Sequence, residues 1–124
     1  MAKPCVGVLA LQGAFREHAA SVTHLGAEAR EVRQLGHMDG IDAMIIPGGE
    51  STTMGKLLVE LGMLDPLRRR IEDGMPVYGS CAGLILLCRE IENSDQPRLG
   101  VLDAVVRRNA FGRQVDSFET ELDL

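Results

Sequence analysis

The chain has 124 residues, of which 45% are hydrophobic and 25% charged, a balance typical of one soluble globular domain. A net charge of −5 argues against a nucleic-acid partner, and 3% aromatic residues leave little for base stacking. The apolar runs are too short to cross a bilayer, and the N-terminus lacks a signal-peptide pattern. We therefore expect a cytoplasmic protein without a membrane partner.

The predicted elements alternate between short apolar runs, which indicate strands, and segments with helical spacing or capping signals. The predicted strands are at 5–11, 29–32, 42–46, 76–78, 101–106 and 118–122. The predicted helices are at 15–25, from Ser51 or Thr52 as the cap up to residue 61, at 65–73 and at 84–91. Pro66 is predicted at the first position of the helix at 65–73. This alternation predicts an α/β fold of three layers, with a mostly parallel central sheet and helices on both faces.

Two glycine-rich loops follow predicted strands, one after Ile46 and one after Tyr78. Ligand sites in parallel α/β sheets gather at the carboxyl ends of the strands. We therefore expect these two loops to be neighbours at one edge of the sheet.

The second loop, Gly79-Ser80-Cys81-Ala82-Gly83, has the form of a nucleophile elbow. Small flanking residues permit a sharp turn that lifts Cys81 above the sheet edge, and the start of the next helix favours a thiolate there. The N–H of Ala82 then faces a developing oxyanion. The pattern alone leaves a small buried cysteine equally open.

The first loop, Pro47-Gly48-Gly49-Glu50-Ser51, is by itself most typical of a plain loop before a capped helix. Beside an elbow, however, Gly49 can supply a second backbone N–H to an oxyanion hole. The two loops together therefore favour acyl-transfer chemistry at Cys81.

The other two cysteines, Cys5 and Cys88, are predicted to be core residues, with Cys88 on the same helix face as Cys81. An odd number of cysteines without metal-ligand spacing indicates free thiols, and we expect no metal site.

A base for Cys81 could come from His18, His24 or His37, although each is more typical of a surface position. The run Arg68-Arg69-Arg70 is predicted to be a solvated helix face, with docking to an acidic partner as the alternative.

Four motifs in order carry a resemblance to a known family: Leu9-Ala10-Leu11-Gln12-Gly13-Ala14, Pro47-Gly48-Gly49-Glu50-Ser51-Thr52-Thr53-Met54, Gly79-Ser80-Cys81-Ala82-Gly83-Leu84, and Arg108-Asn109-Ala110-Phe111-Gly112-Arg113-Gln114. Together they resemble the glutaminase subunit of pyridoxal 5′-phosphate synthase over essentially the whole chain. The elbow alone would indicate only a class I glutamine amidotransferase. The Ser-Thr-Thr-Met segment and residues 108–118 narrow the resemblance to this subunit.

This resemblance implies a class I glutamine amidotransferase-like, flavodoxin-like fold and no cofactor. Cys81 would attack the side-chain amide of L-glutamine, form a glutamyl thioester and release ammonia. Gly49, Glu50, Ser51 and Arg108 would bind glutamine, and Gly49 and Ala82 would form the oxyanion hole. The ammonia would pass to a barrel-shaped synthase subunit, which residues 12–18 are expected to contact.

The family also has a His-Pro-Glu segment that supplies the general base and its orienting carboxylate, whereas no histidine follows Cys81 here. We therefore expect residues 1–124 to form a single but partial amidotransferase domain, incomplete at the C-terminus. Two alternatives stay open. One is a catalytically incomplete domain that only binds the synthase subunit, and the other is a different cysteine-elbow hydrolase that uses one of the three histidines.

Overall fold

The computed structural model describes residues 3–92, 94–107 and 117–120, of which 106–107 and 117–120 are described as backbone. Strands and helices alternate through most of the chain, as predicted. The elements are β1 (Cys5–Leu9), α1 (Phe15–His24), β2 (Glu28–Val32), a 3-10 helix (Leu35–Met38), β3 (Ala43–Ile46), α2 (Ser51–Glu60), α3 (Leu64–Glu72), β4 (Val77–Gly79), α4 (Ala82–Leu87), β5 (Cys88–Ile91), β6 (Leu102–Arg107) and β7 (Ser117–Thr120).

The first four strands form a parallel sheet in the order β2-β1-β3-β4. The chain therefore moves outward from β1 to β2, then crosses back to β3 and continues to β4. Because strand crossovers of this kind are right-handed, the reversal puts α1 on one face of the sheet and α2 and α3 on the other. The predicted parallel α/β sheet is confirmed, and its switch point lies between β1 and β3.

A second sheet, which the sequence did not predict as separate, has the order β5-β6-β7. β5 and β6 are parallel, whereas β6 and β7 pair antiparallel.

Aliphatic and sulfur-containing side chains fill the core, as the low aromatic content predicts. The largest fully buried ones come from nearly every element that packs on the parallel sheet: Val8, Leu9, Val32, Met44, Ile46, Met54, Leu58, Met63, Leu67, Leu86 and Leu99. Each contributes about 1.5–3 kcal/mol by leaving water, before the entropy of ordering it is counted. The core therefore holds α2 and α3 against β3, whose end carries the first glycine-rich loop.

The predicted helix at 84–91 is wrong in its second half, because α4 ends at Leu87 and residues 88–91 form β5. Cys88 is extended, with φ −70° and ψ 144°. The carbonyl oxygens of Leu86 and Leu87, which a longer helix would use, accept N–H groups from Leu99 at 2.7 Å and Val101 at 2.9 Å. Tertiary hydrogen bonds therefore stop the helix where its apolar pattern would continue.

Two predicted helix starts also need correction. The N-cap of α2 is Glu50 rather than Ser51 or Thr52, since its carboxylate accepts the backbone N–H groups of the second and third helical residues. α3 begins at Leu64, which puts Pro66 at the third helical position instead of the first. Proline fits there because a first-turn N–H has no partner within the helix.

The arginine run on α3 is not a solvated face, contrary to the prediction. Arg68 donates to two backbone carbonyl oxygens of residues 98–99, at 2.9 and 2.7 Å. Arg70 donates to two backbone carbonyl oxygens of residues 38–41, at 2.9 and 2.8 Å. Only Arg69, which is exposed, matches the predicted solvated position. Within the described residues, no helix combines the length and apolar character needed to span a membrane.

Candidate active site

Three loops meet at the carboxyl edge of the parallel sheet, after β1, β3 and β4. The side-chain oxygen of Gln12, after β1, accepts the backbone N–H of Glu50 at 2.8 Å. A Cβ atom on Gly13 would lie 1.5 Å from the carbonyl oxygen of Gly48, and one on Gly48 would lie 3.2 Å from the Cβ atom of Cys81. The glycine-rich loop after β3 therefore lies between Gln12 and the elbow, and the expectation that the two glycine-rich loops are neighbours is confirmed.

The elbow is held by close backbone contacts. Cys81 has φ 50° and ψ −113° and is the one non-glycine residue with positive φ in the described part of the chain. A Cβ atom on Gly79 would lie 2.8 Å from the backbone of Gly83, and one on Gly83 would lie 2.0 Å from the carbonyl oxygen of Ile46. Backbone strain of this kind costs about 1–3 kcal/mol and concentrates at functional sites.

The thiol of Cys81 is exposed, so the alternative of a buried structural cysteine is wrong for this residue. Cys81 is the N-cap residue of α4, and its carbonyl oxygen accepts the N–H groups of Leu84 and Ile85 at 3.0 and 3.2 Å. The N–H of Ala82, the first helical residue, meets no backbone acceptor among the described residues. As a first-turn N–H, it has no acceptor within the helix.

The other two cysteines are buried, which confirms that they are core residues. Burial raises the pKa of the Cys88 thiol to about 11 and also raises the pKa of Cys5 above its ordinary value. Neither thiol is therefore ionised near neutral pH, and Cys81 is the exposed cysteine of the three.

Gly49 is closely surrounded by the side chains of Gln12 and Met54. A Cβ atom there would lie 2.9 Å from the side-chain oxygen of Gln12 and 3.0 Å from the sulfur of Met54. A Cβ atom on Gly48, the preceding residue, would lie 3.2 Å from the Cβ atom of Cys81 and 4.0 Å from its sulfur. The loop therefore brings bare backbone close to the thiol.

Glu50 uses its carboxylate to hold the start of α2. Oε1 accepts the N–H of Thr52 at 3.0 Å, and Oε2 accepts the N–H of Thr53 at 2.8 Å and its hydroxyl at 2.6 Å. The Thr53 hydroxyl, followed by its N–H, lowers the pKa of Glu50 to about 2. Each carboxylate oxygen has two acceptor positions, so Oε1 retains one for a further donor. Ser51 is buried in the first turn of the same helix.

Arg108 lies outside the described residues, as does the predicted polar loop beyond residue 107.

The three histidines lie at different distances from the elbow. His24 ends α1, which runs away from the carboxyl edge for about 15 Å. His37 follows β2, the strand on the far side of the sheet from β4, and its Nδ1 accepts the N–H of Arg33 at 3.1 Å. The ring of His18 packs edge-on against Tyr78 of β4, with 6.4 Å between ring centroids. Of the three, only His18 contacts the strand that leads into the elbow.

Sequence reasoning missed two side-chain contacts at this edge. The first is the contact of Gln12 with Glu50, for which the position of Gln12 after β1, beside the switch point, is a usable signal. The hydroxyl of Thr52 donates to the side-chain oxygen of Gln96 at 3.2 Å across 44 residues. No local sequence signal predicts such a contact.

A cavity of about 700 Å³ lies apart from these loops, beside β5, and its lining includes Glu90, Glu92, Asp95 and Arg98. None of the described predicted site residues lines it. The candidate active site is therefore the open sheet edge around Cys81.

Known proteins share this sequence and geometry. A family model described as the SNO glutamine amidotransferase family matches residues 8–124. The chain is 58% identical over 119 residues to the pyridoxal 5′-phosphate synthase subunit PdxT of Moorella thermoacetica, covering 96% of this chain and 63% of the relative. It is also 58% identical over 121 residues to the subunit of the same name from Thermus thermophilus, covering 96% and 63%.

A solved structure titled as a glutamine amidotransferase superposes with a TM-score of 0.79 at 58% identity, covering 91% of this chain and 61% of that one. The chain spans 61–63% of the length of the first three curated relatives that it matches. The family model covers both glycine-rich loops, the second of which is the elbow. The chain belongs to the SNO glutamine amidotransferase family.

Proposed function

We propose that this chain belongs to the glutaminase component of pyridoxal 5′-phosphate synthase, which hydrolyses L-glutamine to L-glutamate and ammonia. The main observation is that Cys81 is exposed on a strained turn, with the backbone of Gly48 against it. An accessible thiol beside unhindered backbone suits attack on a small amide. The descriptions of the matching family and of the solved structure, both glutamine amidotransferases, support the choice of glutamine as the substrate. The names of relatives at 54–58% identity support the assignment to pyridoxal 5′-phosphate synthase.

In the proposed reaction, the Cys81 thiolate attacks the side-chain amide carbon of glutamine. The carbonyl oxygen becomes an oxyanion, which the N–H groups of Ala82 and Gly49 stabilise. The oxyanion then collapses, the carbon–nitrogen bond breaks, and the leaving nitrogen takes a proton from water, so that ammonia departs and a glutamyl thioester and hydroxide remain. Hydroxide attacks the thioester carbonyl and the carbon–sulfur bond breaks, which restores the thiolate. Glutamate leaves after its carboxyl proton passes to solvent.

Glutamine recognition is assigned to the loop after β3 and to Arg108. Glu50 is ionised because its pKa is about 2, and the remaining acceptor position on Oε1 suits the α-ammonium group of glutamine. Gly49 and Ser51 contribute backbone groups at the start of α2. The guanidinium of Arg108 suits the α-carboxylate.

Residues 1–124 would act as part of one amidotransferase domain in the cytoplasm, with a barrel-shaped synthase subunit receiving the ammonia. Residues 12–18 are the proposed contact with that subunit. They include Gln12, whose side chain reaches the glutamine-binding loop, so docking there would act directly on the site.

Capture by the chloroketone analogue of L-glutamine tests the nucleophile and the recognition without requiring turnover. The Cys81 thiolate displaces chloride and forms a thioether, which mass spectrometry locates. We expect the rate to saturate with chloroketone concentration, glutamine to protect, and Cys81→Ala to abolish the reaction. Cys88→Ala is the matched control and should react like the wild type. A rate that neither saturates nor responds to glutamine would overturn the proposal.

Glutamate release from glutamine, with and without the synthase subunit, tests the catalytic part. Release that requires Cys81 supports the hydrolase assignment. Binding to the synthase subunit without any release would instead support the alternative of a domain that only binds. Hydrolysis of simple esters without glutamine hydrolysis, lost in His18→Ala, would support the other cysteine-hydrolase alternative.

A further inference from the structure

Residues 94–99, here called the strap, pack against α2 and α3. Leu99 is fully buried in the core, and its N–H donates to the carbonyl oxygen of Leu86 at 2.7 Å. Arg68 on α3 donates to the strap carbonyl oxygens of Arg98 and Leu99 at 2.9 and 2.7 Å. Hydrogen bonds from a charged donor contribute more than neutral ones, so the strap is firmly attached to α3.

The strap also touches the first turns of α2 without a gap. A Cβ atom on Gly55 would lie 2.2 Å from the carbonyl oxygen of Pro97. One turn earlier, the hydroxyl of Thr52 donates to the side-chain oxygen of Gln96 at 3.2 Å. Gln96 is only 8% exposed, so this polar contact is shielded from water. The strap therefore contacts the first turns of α2 at two places, at Gly55 and at Thr52.

Thr52 connects this contact to the proposed glutamine-binding site. Its backbone N–H donates to Oε1 of Glu50 at 3.0 Å, and Oε1 is the atom assigned to the α-ammonium group. A β-branched side chain has few rotamers, so a hydrogen bond to its hydroxyl also restrains the backbone that carries the N–H. The chain of contacts therefore runs from Gln96 through Thr52 to Glu50.

We propose that Gln96 is a positioning residue for glutamine binding, which holds Glu50 through Thr52 in the orientation that accepts the α-ammonium group. This inference rests on the proposed glutaminase function. It concerns recognition of glutamine rather than the reactivity of Cys81, because none of the contacts between Gln96, Thr52 and Glu50 involves the thiol.

The test compares two alkylation reactions of Cys81 in each variant. The chloroketone analogue of glutamine requires recognition of the α-ammonium group, whereas iodoacetamide requires only an accessible thiolate. Gln96→Ala and Thr52→Val should each raise the half-saturating chloroketone concentration about fivefold, the equivalent of one ordinary hydrogen bond. The iodoacetamide rate should change less than about twofold. Thr52→Ser keeps the hydroxyl but loses the β-branch, so its half-saturating concentration should lie between those of the wild type and Thr52→Val. Asp95→Asn, on the exposed side of the strap, should behave like the wild type.

The possible outcomes separate the two proposals. A wild type that reacts with the chloroketone without saturation and without protection by glutamine removes the proposed function itself. If the wild type saturates but Gln96→Ala and Thr52→Val have the same half-saturating concentration as the wild type, the positioning role is wrong. This holds even if the two variants unfold at a lower temperature than the wild type, because a loss of stability alone does not show a role in binding. Equal losses in the chloroketone and iodoacetamide reactions would indicate a general disturbance of the elbow, and would also overturn the proposed role.

Discussion

Replacing Gly83 by alanine should put a methyl group into the backbone of β3. The added Cβ atom would lie 2.0 Å from the carbonyl oxygen of Ile46 and 3.0 Å from its Cγ2 atom. Real Cβ atoms essentially never approach a heavy atom within 3.0 Å, so β3 and α4 must separate by about 1 Å. The same carbonyl oxygen accepts the N–H of Ser80 at 3.1 Å, so this separation also weakens the hydrogen bond that anchors the elbow.

The net cost should be about 3 kcal/mol. Overpacking costs up to about 3 kcal/mol, and the upper value applies because a backbone oxygen cannot rotate away. The weakened hydrogen bond adds about 1 kcal/mol, and the better helix propensity of alanine returns about the same amount. With urea slopes of about 1–3 kcal/mol/M, the unfolding midpoint should fall by about 1–3 M.

Urea unfolding followed by far-ultraviolet circular dichroism measures this effect. Gly36→Ala is the matched control, since nothing lies within 4 Å of a Cβ atom there and its φ is not positive. It should shift the free energy of unfolding by no more than about 0.5 kcal/mol. A Gly83→Ala protein as stable as Gly36→Ala would refute the claim that close backbone packing holds the elbow.

Iodoacetamide should alkylate only Cys81 in the folded protein, because the other two cysteines are buried. Rapid labelling of the folded Cys81→Ala variant would contradict this. Glu50→Gln should lower the free energy of unfolding near pH 7 by about 1 kcal/mol, the usual contribution of an N-cap. The pKa of Glu50 is lowered from 4.5 to about 2 by folding, so this contribution is complete above pH 4.5 and is lost as the pH falls toward 2. If the difference in unfolding free energy between the wild type and Glu50→Gln does not change between pH 4.5 and pH 2, Glu50 does not act as the cap. Arg70→Ala should destabilise by about 1–2 kcal/mol through its two carbonyl contacts, while Arg69→Ala should stay within about 0.5 kcal/mol, and equal effects of the two would disprove the assignment.

The carboxyl-edge site could be predicted because its signals are local. Glycines on both sides of Cys81 indicate a sharp turn, whatever the surrounding fold. Parallel strands bring their carboxyl ends to one edge of the sheet, which makes the two loops neighbours. The oxyanion roles of Gly49 and Ala82 follow from the pattern of the two loops, whereas the glutamine-binding roles of Gly49, Glu50, Ser51 and Arg108 come from family resemblance. All of these roles stay proposals. The structure adds that Glu50 uses most of its acceptor capacity as a helix cap.

The sequence by itself determined the alternation of strands and helices, the glycine-rich loops and the elbow, because apolar periodicity and glycine placement act within a few residues. Only the tertiary structure decided where α4 ends, what the arginines of α3 bind and how Gln96 reaches Thr52. Those outcomes depend on carbonyl oxygens and side chains that are far apart in sequence and meet only after the core has formed. A local pattern contains no information about such partners, so folding decides whether an apolar segment continues as a helix or turns into a strand.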